Sequence, residues 1–176
     1  MKNAITAVLA AITIVLLSVN TISAKEIKSP ITTEEVQDSK LKPVFDEYFA
    51  MKDALIKSDA KTTSAKSKDL LTAIAAVKMD QLKTAEHNVW MKVMKKMTAD
   101  AKAIASNQEL KKQRETFKSL SKSTYELIKA SNPAETVYYQ YCPMADANWL
   151  SKEKAVKNPY YGSSMLTCGN VVETIK

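Results

Sequence analysis

The segment from Lys40 to Ser131 contains no glycine, and this constrains the fold of the chain more than any other feature. Both glycines, Gly162 and Gly169, lie after it, and the one proline within it, Pro43, lies near its start. Glycine and proline are the residues that most often interrupt regular structure. Apolar residues recur through the segment with a period near 3.6, which is typical of amphipathic helices.

Four helices are predicted in this segment. They cover residues 43–57, 63–83, 86–106 and 108–130. The breaks between them contain the polar pairs and the proline that usually cap or end helices, at 58–59, 106–107 and 131–133. Because the connections are short, neighbouring helices should run antiparallel. The predicted fold class is all-α, an up-down four-helix bundle.

The N-terminus has the pattern of a secretory signal peptide. Lys2 is followed by an apolar run from Ala4 to Val19, and Ala24 is a small residue at the expected cleavage position. We therefore expect a signal peptide over residues 1–24 and a periplasmic or secreted protein. No later stretch is long and apolar enough to span a bilayer, so no integral membrane segment is expected after cleavage.

The mature chain divides into a flexible polar lead-in and one domain. The lead-in covers residues 25–39, and the domain covers residues 40–176. Its last part, residues 133–176, changes in character, since a β-branched and aromatic run at 136–141 indicates extended structure. We expect this part to form an irregular cap that packs against the bundle.

Charge and motif content exclude two classes of function. The net charge is +7, but it comes almost entirely from lysine, and Arg114 is the only arginine. Recognition of phosphates and bases favours the arginine fork, so nucleic acid is not an expected partner. The sequence has one histidine, no glycine-rich phosphate loop and no Gly-x-Ser-x-Gly motif, so an enzyme is not expected.

The two cysteines each have a methionine close by. Cys142 precedes Met144 in a Cys-x-Met pattern, and Met165 precedes Cys168 in a Met-x-x-Cys pattern. Thiolate and thioether sulfur are the soft ligands that select Cu(I) and related ions. These four residues are the candidate metal ligands.

Three states of the cysteines remain open from the residues alone. Two cysteines in an exported chain commonly form a disulfide. A Cys142–Cys168 bond would close a loop worth roughly 3 kcal/mol in chain entropy. The alternatives are a shared metal ion and unpaired thiols. Both the disulfide and the metal require Cys142 and Cys168 to be close neighbours.

His87 is a further candidate ligand. It lies four residues before Met91 and seven before Met94, at the border of the apolar face of the third helix. This position favours a boundary histidine with a hydrogen-bond partner, but it also allows the side chain to reach a site. We expect His87 on the side of the bundle that the C-terminal cap covers.

The tail motifs resemble a family. They are Cys-Pro-Met-Ala at 142–145, Trp-Leu-Ser at 149–151 and Asn-Pro-Tyr-Tyr-Gly-x-x-Met-Leu-Thr-Cys-Gly at 158–169. With weaker matches from residue 45 onward, the chain resembles an uncharacterised exported helical domain of unknown function. That domain is also appended to heavy-metal and copper efflux adaptor (membrane fusion) proteins. The resemblance implies a link to copper or other heavy metals and a component of an efflux system as partner.

These observations lead to two hypotheses of different classes. The first is a periplasmic protein that binds a soft metal, Cu(I) above others, as a chaperone, buffer or efflux accessory. Its ligands would be Cys142, Met144, Met165 and Cys168, with His87 as a fifth contact. The alternative is a non-metal periplasmic interaction module whose tail is held by a Cys142–Cys168 disulfide.

Overall fold

Four α-helices occupy the first part of the structure, a computed structural model that describes residues 39–176. The predicted signal peptide (1–24) and all of the lead-in before Ser39 lie outside these residues. The helices are α1 Lys42–Ile56, α2 Ala60–Ala76, α3 Thr84–Ala105 and α4 Leu110–Ser131. The four helices of the sequence prediction are therefore present, with different ends.

Local chemistry explains where two of the helices begin and end. The Asp59 carboxylate accepts a hydrogen bond from the backbone N–H of Thr62 at 2.9 Å, an N-cap that starts α2. The Lys83 backbone N–H donates to the Glu86 carboxylate at 3.0 Å and fixes the start of α3. Helix α2 was predicted to reach residue 83, but it ends at Ala76 and is followed by a 3-10 turn, Met79–Gln81.

Side-chain bonds show that neighbouring helices run antiparallel. The Ser64 hydroxyl donates to the Ala105 carbonyl, and the Ser67 hydroxyl donates to the Ala101 carbonyl at 2.7 Å, so α2 and α3 run in opposite directions. The Ser119 hydroxyl donates to the Asp100 carboxylate at 2.6 Å and sets the register of α3 against α4. The buried faces of the helices meet in one core. Its largest fully buried side chains are Trp90, Trp149, Tyr48, Phe117, Leu41, Met51, Leu55, Leu70, Met97, Ile104, Leu120 and Leu127.

The C-terminal part is a three-stranded antiparallel sheet, so the prediction of an all-α fold with an irregular cap was wrong. The strands are β1 Val137–Cys142, β2 Ala147–Ser151 and β3 Asn170–Ile175, in the order β2-β1-β3. Only β1 was recognised as extended from its composition. A single extended run needs partners for its backbone groups, and the two segments that pair with it supply them.

Tyr48 fastens the sheet to the bundle. Its hydroxyl accepts a hydrogen bond from the Leu150 backbone N–H of β2 at 3.1 Å and bonds the Ser121 hydroxyl of α4 at 2.8 Å. The Tyr48 side chain is fully buried. Burial raises the pKa of Tyr48 well above its usual range, so the hydroxyl stays protonated and can act as donor and acceptor together.

Replacing Tyr48 with phenylalanine is expected to lower the free energy of unfolding by about 1–3 kcal/mol, because it leaves two buried polar groups without a partner. Urea denaturation followed by circular dichroism measures this. Tyr138→Phe is the matched control, since the Tyr138 side chain is only half-buried and should cost little. Equal stability of the two variants would contradict the role given to the Tyr48 hydroxyl.

None of the helices within residues 39–176 has the length and apolar character needed to cross a membrane.

Candidate thiol site

The structure brings the two cysteine sulfurs into contact. The Cys142 Sγ and Cys168 Sγ atoms lie 3.2 Å apart, and both residues are free thiols. The pairing of β1 with β3 causes this, because Tyr141 is opposite Asn170 and each cysteine lies within two residues of that pair. The prediction that the cysteines are close neighbours is confirmed.

Asn158 holds the thiol loop, residues 158–168, which carries Cys168. Its side-chain Nδ2 donates to the Cys168 carbonyl at 2.8 Å, and its Oδ1 accepts from the Tyr160 backbone N–H at 2.8 Å. The backbone of Asn158 also bonds Leu166 and Gly162, at 2.8 and 2.9 Å. Asn158 is fully buried, so these bonds are shielded from water. The loop is therefore tied at both ends of the stretch between Asn158 and Cys168.

Arg114 attaches the same loop to the helices. Its Nε donates to the Pro159 carbonyl at 2.9 Å, while its Nη2 donates to the Leu55 carbonyl at 3.1 Å and the Ser58 hydroxyl at 2.9 Å. Partial burial lowers the pKa of the Arg114 guanidinium below its ordinary value. The only arginine of the chain thus positions the thiol loop through neutral acceptors.

Trp149 forms the floor next to the thiol loop. It is fully buried, and its ring packs edge-on against Tyr160 with 5.9 Å between the ring centroids. A Cβ atom added at Gly169 would lie 2.9 Å from the Trp149 ring and 2.6 Å from the Tyr141 carbonyl oxygen. Gly169, directly after Cys168, is therefore the residue that lets the loop approach β1.

The hydrogen bonds around Cys142 favour its ionised form. Burial by itself would raise the pKa of this thiol. Bonds from the Cys168 thiol, the Ala145 backbone N–H, the Asn158 side chain and the Met144 backbone N–H oppose that effect, and the pKa of Cys142 falls below its ordinary value. The hydrogen bond that Cys168 gives to Cys142 raises the pKa of Cys168 in turn. Cys142 is thus the first of the pair to ionise as pH rises.

The two thiols differ in access to solvent. Cys142 is fully buried at the end of β1, while Cys168 is partly exposed. An ion or an oxidant must therefore reach the pair from the side of Cys168.

The predicted methionine ligands lie on the two segments that carry the cysteines. Met144 is in the turn after Cys142, and its side chain is 64% exposed. Met165 ends the 3-10 turn Gly162–Met165, is half-buried, and accepts the Cys168 backbone N–H at its carbonyl at 3.1 Å. Both methionines lie within three residues of a cysteine in the chain, and Met144 lines a groove together with Arg114 and Tyr161.

His87 is not brought to the sulfur pair. The bond between Ser119 and Asp100 fixes the antiparallel register of α3 and α4. His87 therefore lies about 20 Å along the axis from that level, at 1.5 Å per residue. The loop that carries Cys168 packs against the first half of α4, because Tyr160 contacts Phe117 with 6.1 Å between the ring centroids. His87 lies at the level of the other end of α4.

The atoms of this site that could bind a metal ion are sulfur atoms. Within residues 39–176, no group of three or more histidine, cysteine, aspartate or glutamate side chains is placed to hold a metal. A structural zinc site usually needs four such ligands. Two thiols with flanking thioethers instead suit a soft ion that accepts few ligands.

Sequence reasoning found the cysteines but missed the residues that hold them together. The roles of Asn158 and Arg114 depend on hydrogen bonds to backbone carbonyls, which leave no spacing pattern in a sequence. A signal was present for Asn158, because an Asn-Pro pair marks the start of a turn. A lone arginine in a lysine-rich chain was a second signal.

Comparison with known proteins places the helical part in a family. The sequence profile of a family described as "Protein of unknown function (DUF3347)" matches residues 44–136. The match covers more than half of the chain, and the protein belongs to this family. The matched segment includes all but the first two residues of α1, the whole of α2 to α4, and ends before β1, so both cysteines lie outside it. No curated protein and no solved structure matches the chain.

Proposed function

We propose that this is an exported protein that binds a soft metal ion, Cu(I) above others, through Cys142 and Cys168. Met144 and Met165 supply neutral thioethers on the same two segments. The protein would serve as a copper chaperone, a buffer or an accessory to efflux. His87 has no part in this site.

The contact between the two sulfurs is the observation that carries the proposal. Two thiols at 3.2 Å, with hydrogen bonds that lower the pKa of Cys142, form a pair in which a thiolate is available. With metal–sulfur bonds of about 2.3 Å, an ion between sulfurs at this separation would subtend an angle of about 90°. A wider angle, as two-coordinate Cu(I) prefers, requires the Cys168 side chain to rotate outward, and its partial exposure leaves room for that.

The place of the protein in metal handling rests on resemblance. The motifs at 142–145 and 158–169 resemble those of a domain appended to heavy-metal efflux adaptors. The family to which residues 44–136 belong has no assigned function. The apolar run at 4–19 and the small residue at 24 support export. A component of an efflux system is accordingly the partner that we propose.

A disulfide-held interaction module is the second candidate, and the same distance favours it. The two sulfurs are 3.2 Å apart. Two sulfurs that share a metal ion are usually farther apart than this, so the pair needs only a small movement to form an S–S bond of about 2.05 Å. In this case the Cys142–Cys168 bond links the end of β1 to the segment before β3, and the protein binds a partner without metal.

Competition for Cu(I) against a chromophoric chelator tests the first candidate. The reduced protein, beginning at Lys25, is titrated under anaerobic conditions, and a parallel titration uses Zn(II). The proposal predicts one Cu(I) withdrawn from the chelator by the thiol pair and much weaker binding of Zn(II). Preference for Zn(II), or failure to withdraw Cu(I) from a chelator of micromolar affinity, would favour the disulfide-held module.

A further inference from the structure

A second group of soft donors lies on helix α3, away from the cysteines. His87, Met91 and Met94 follow each other at spacings of four and three residues. Side chains at such spacings are neighbours on one face of a helix, with about 5–6 Å between their Cβ atoms. The imidazole and two thioethers therefore form a stripe along the first half of α3.

This stripe borders a groove between α2 and α3. Met94 and Trp90 line the groove from α3, and Ile74 lines it from α2. Met79, from the 3-10 turn that connects the two helices, lines the same groove. Because α2 and α3 are antiparallel, this connection lies beside the first turns of α3, where His87 and Met91 are found. A third thioether is thus placed next to the stripe.

The exposure of these methionines is unusual for core-forming residues. Met79 is 42% exposed and Met91 is 51% exposed, while Met97 on the same helix is fully buried. Met94 is half-buried at the edge of the groove. Hydrophobic packing explains Met97, but it does not explain two thioethers that face water beside a third.

We propose that this groove is a binding site for a soft monovalent cation, Cu(I) or Ag(I), held by Met79, Met91, Met94 and His87. Thioether sulfur selects soft ions, and imidazole also ligates copper. All four ligands are neutral when the imidazole is unprotonated.

Charge around the groove selects the valence. Lys102 lines the groove, and Lys92 and Lys95 are exposed on the same helix. With neutral ligands, the repulsion from these ammonium groups is twice as large for a divalent ion as for a monovalent one. The site therefore discriminates against Zn(II) and Cu(II) by charge as well as by softness.

This site does not depend on the thiol pair. It contains none of the thiol-site residues, and thioethers cannot form a disulfide. Oxidation that joins Cys142 to Cys168 would therefore leave it intact. The protein would keep one soft-metal site under oxidising conditions that close the other.

Methionine methyl NMR of a thiol-free variant tests the inference. The Cys142→Ser/Cys168→Ser protein, labelled at the methionine methyl groups, is titrated with Ag(I), a redox-inert analogue of Cu(I). One equivalent is expected to shift the methyl signals of Met79, Met91 and Met94 and the ring signals of His87. Met51 and Met97, both fully buried, should not shift and report that the fold is kept. If this variant does not fold, the oxidised wild type, whose thiols are blocked by the disulfide, replaces it.

Variants on α3 assign the ligands. Met94→Leu is expected to raise the dissociation constant for Ag(I) by at least about tenfold. Met97→Leu, a change of the same chemistry three residues away in the core, is the matched control and should leave the affinity unchanged. The inference is overturned if Ag(I) shifts none of the groove signals, if Met144 and Met165 shift before them, or if the two variants bind alike. None of these results bears on the thiol site, which is absent or blocked in the experiment.

Discussion

Cys142→Ser and Cys168→Ser are each expected to weaken Cu(I) binding at the thiol pair of the reduced protein by about a hundredfold or more. A hundredfold change corresponds to about 2.8 kcal/mol of binding free energy. Each change removes one of the two anionic ligands, and a hydroxyl does not replace thiolate for a soft ion. Cys142→Ser should have the larger effect, because the surrounding hydrogen bonds lower the pKa of that thiol. The measurement is anaerobic competition against a Cu(I) chelator.

Methionine variants provide the comparison within the same site. Met144→Leu and Met165→Leu keep side-chain volume and remove only a neutral thioether, so they should weaken binding less than either serine variant. Thr167→Ser, an exposed position next to Cys168, is the control for changes in the loop and should bind as the wild type does. If the double serine variant loses no Cu(I) relative to the wild type, the thiols do not bind the metal.

Gly169→Ala is expected to destabilise the protein by about 1–3 kcal/mol, because it forces a non-glycine residue into a left-handed backbone region. Gly169 has a φ of 137°. The added Cβ would also lie 2.6 Å from the Tyr141 carbonyl oxygen, a contact that the backbone must relieve by moving. That movement separates the segment of Cys168 from the segment of Cys142.

Two readouts distinguish this movement from a simple loss of stability. Urea denaturation gives the change in unfolding free energy, and the rate of disulfide formation with a mild oxidant reports the approach of the thiols. Both should fall in Gly169→Ala. Ser164→Ala, at an exposed position in the same loop, should change neither. A Gly169→Ala protein that forms the disulfide at the wild-type rate would contradict the role of Gly169 in bringing the sulfurs together.

The helices could be predicted from the sequence because their information is local. Periodicity and capping residues such as Asp59 identify each helix within its own segment. The end of α2 was misplaced because the segment from Val77 to Lys83 contains neither glycine nor proline. A β-branched residue and a short 3-10 turn end the helix there instead, and neither leaves a clear mark in a sequence.

The sheet could not be predicted because its information is not local. Strand β1 was identified as extended, but its partner β3 is separated from it by a long loop. The burial of β3 alternates along the strand, but its sequence, Asn-Val-Val-Glu-Thr-Ile, does not alternate regularly between polar and apolar residues. The pairing of Tyr141 with Asn170 depends on the course of that loop, which Asn158 and Arg114 set through backbone carbonyls. Composition alone therefore predicted that the segment of β1 is extended, but not that β2 and β3 pair with it.

The candidate site was predicted in part for the same reason. The proximity of Cys142 and Cys168 followed from requiring either a bond or a shared ion, and the structure places them in contact. The position of His87 at the border of an apolar face was visible on a helical wheel. A wheel does not say which part of the fold lies across that border, and the register of α3 against α4 places His87 far from the cysteines.

Intact-mass spectrometry of the protein beginning at Lys25, with and without reductant and copper, tests the central claim most directly. If the thiol pair binds copper, the reduced form gains one copper ion under native conditions when Cu(I) is limiting. In the Met94→Leu protein, whose groove should bind at least about tenfold more weakly, oxidation, seen as the loss of two hydrogens, should sharply reduce this uptake of copper. A protein that keeps the disulfide in the presence of reductant, or a Met94→Leu protein that takes up the limiting copper equally well when oxidised, would contradict copper binding by the thiol pair.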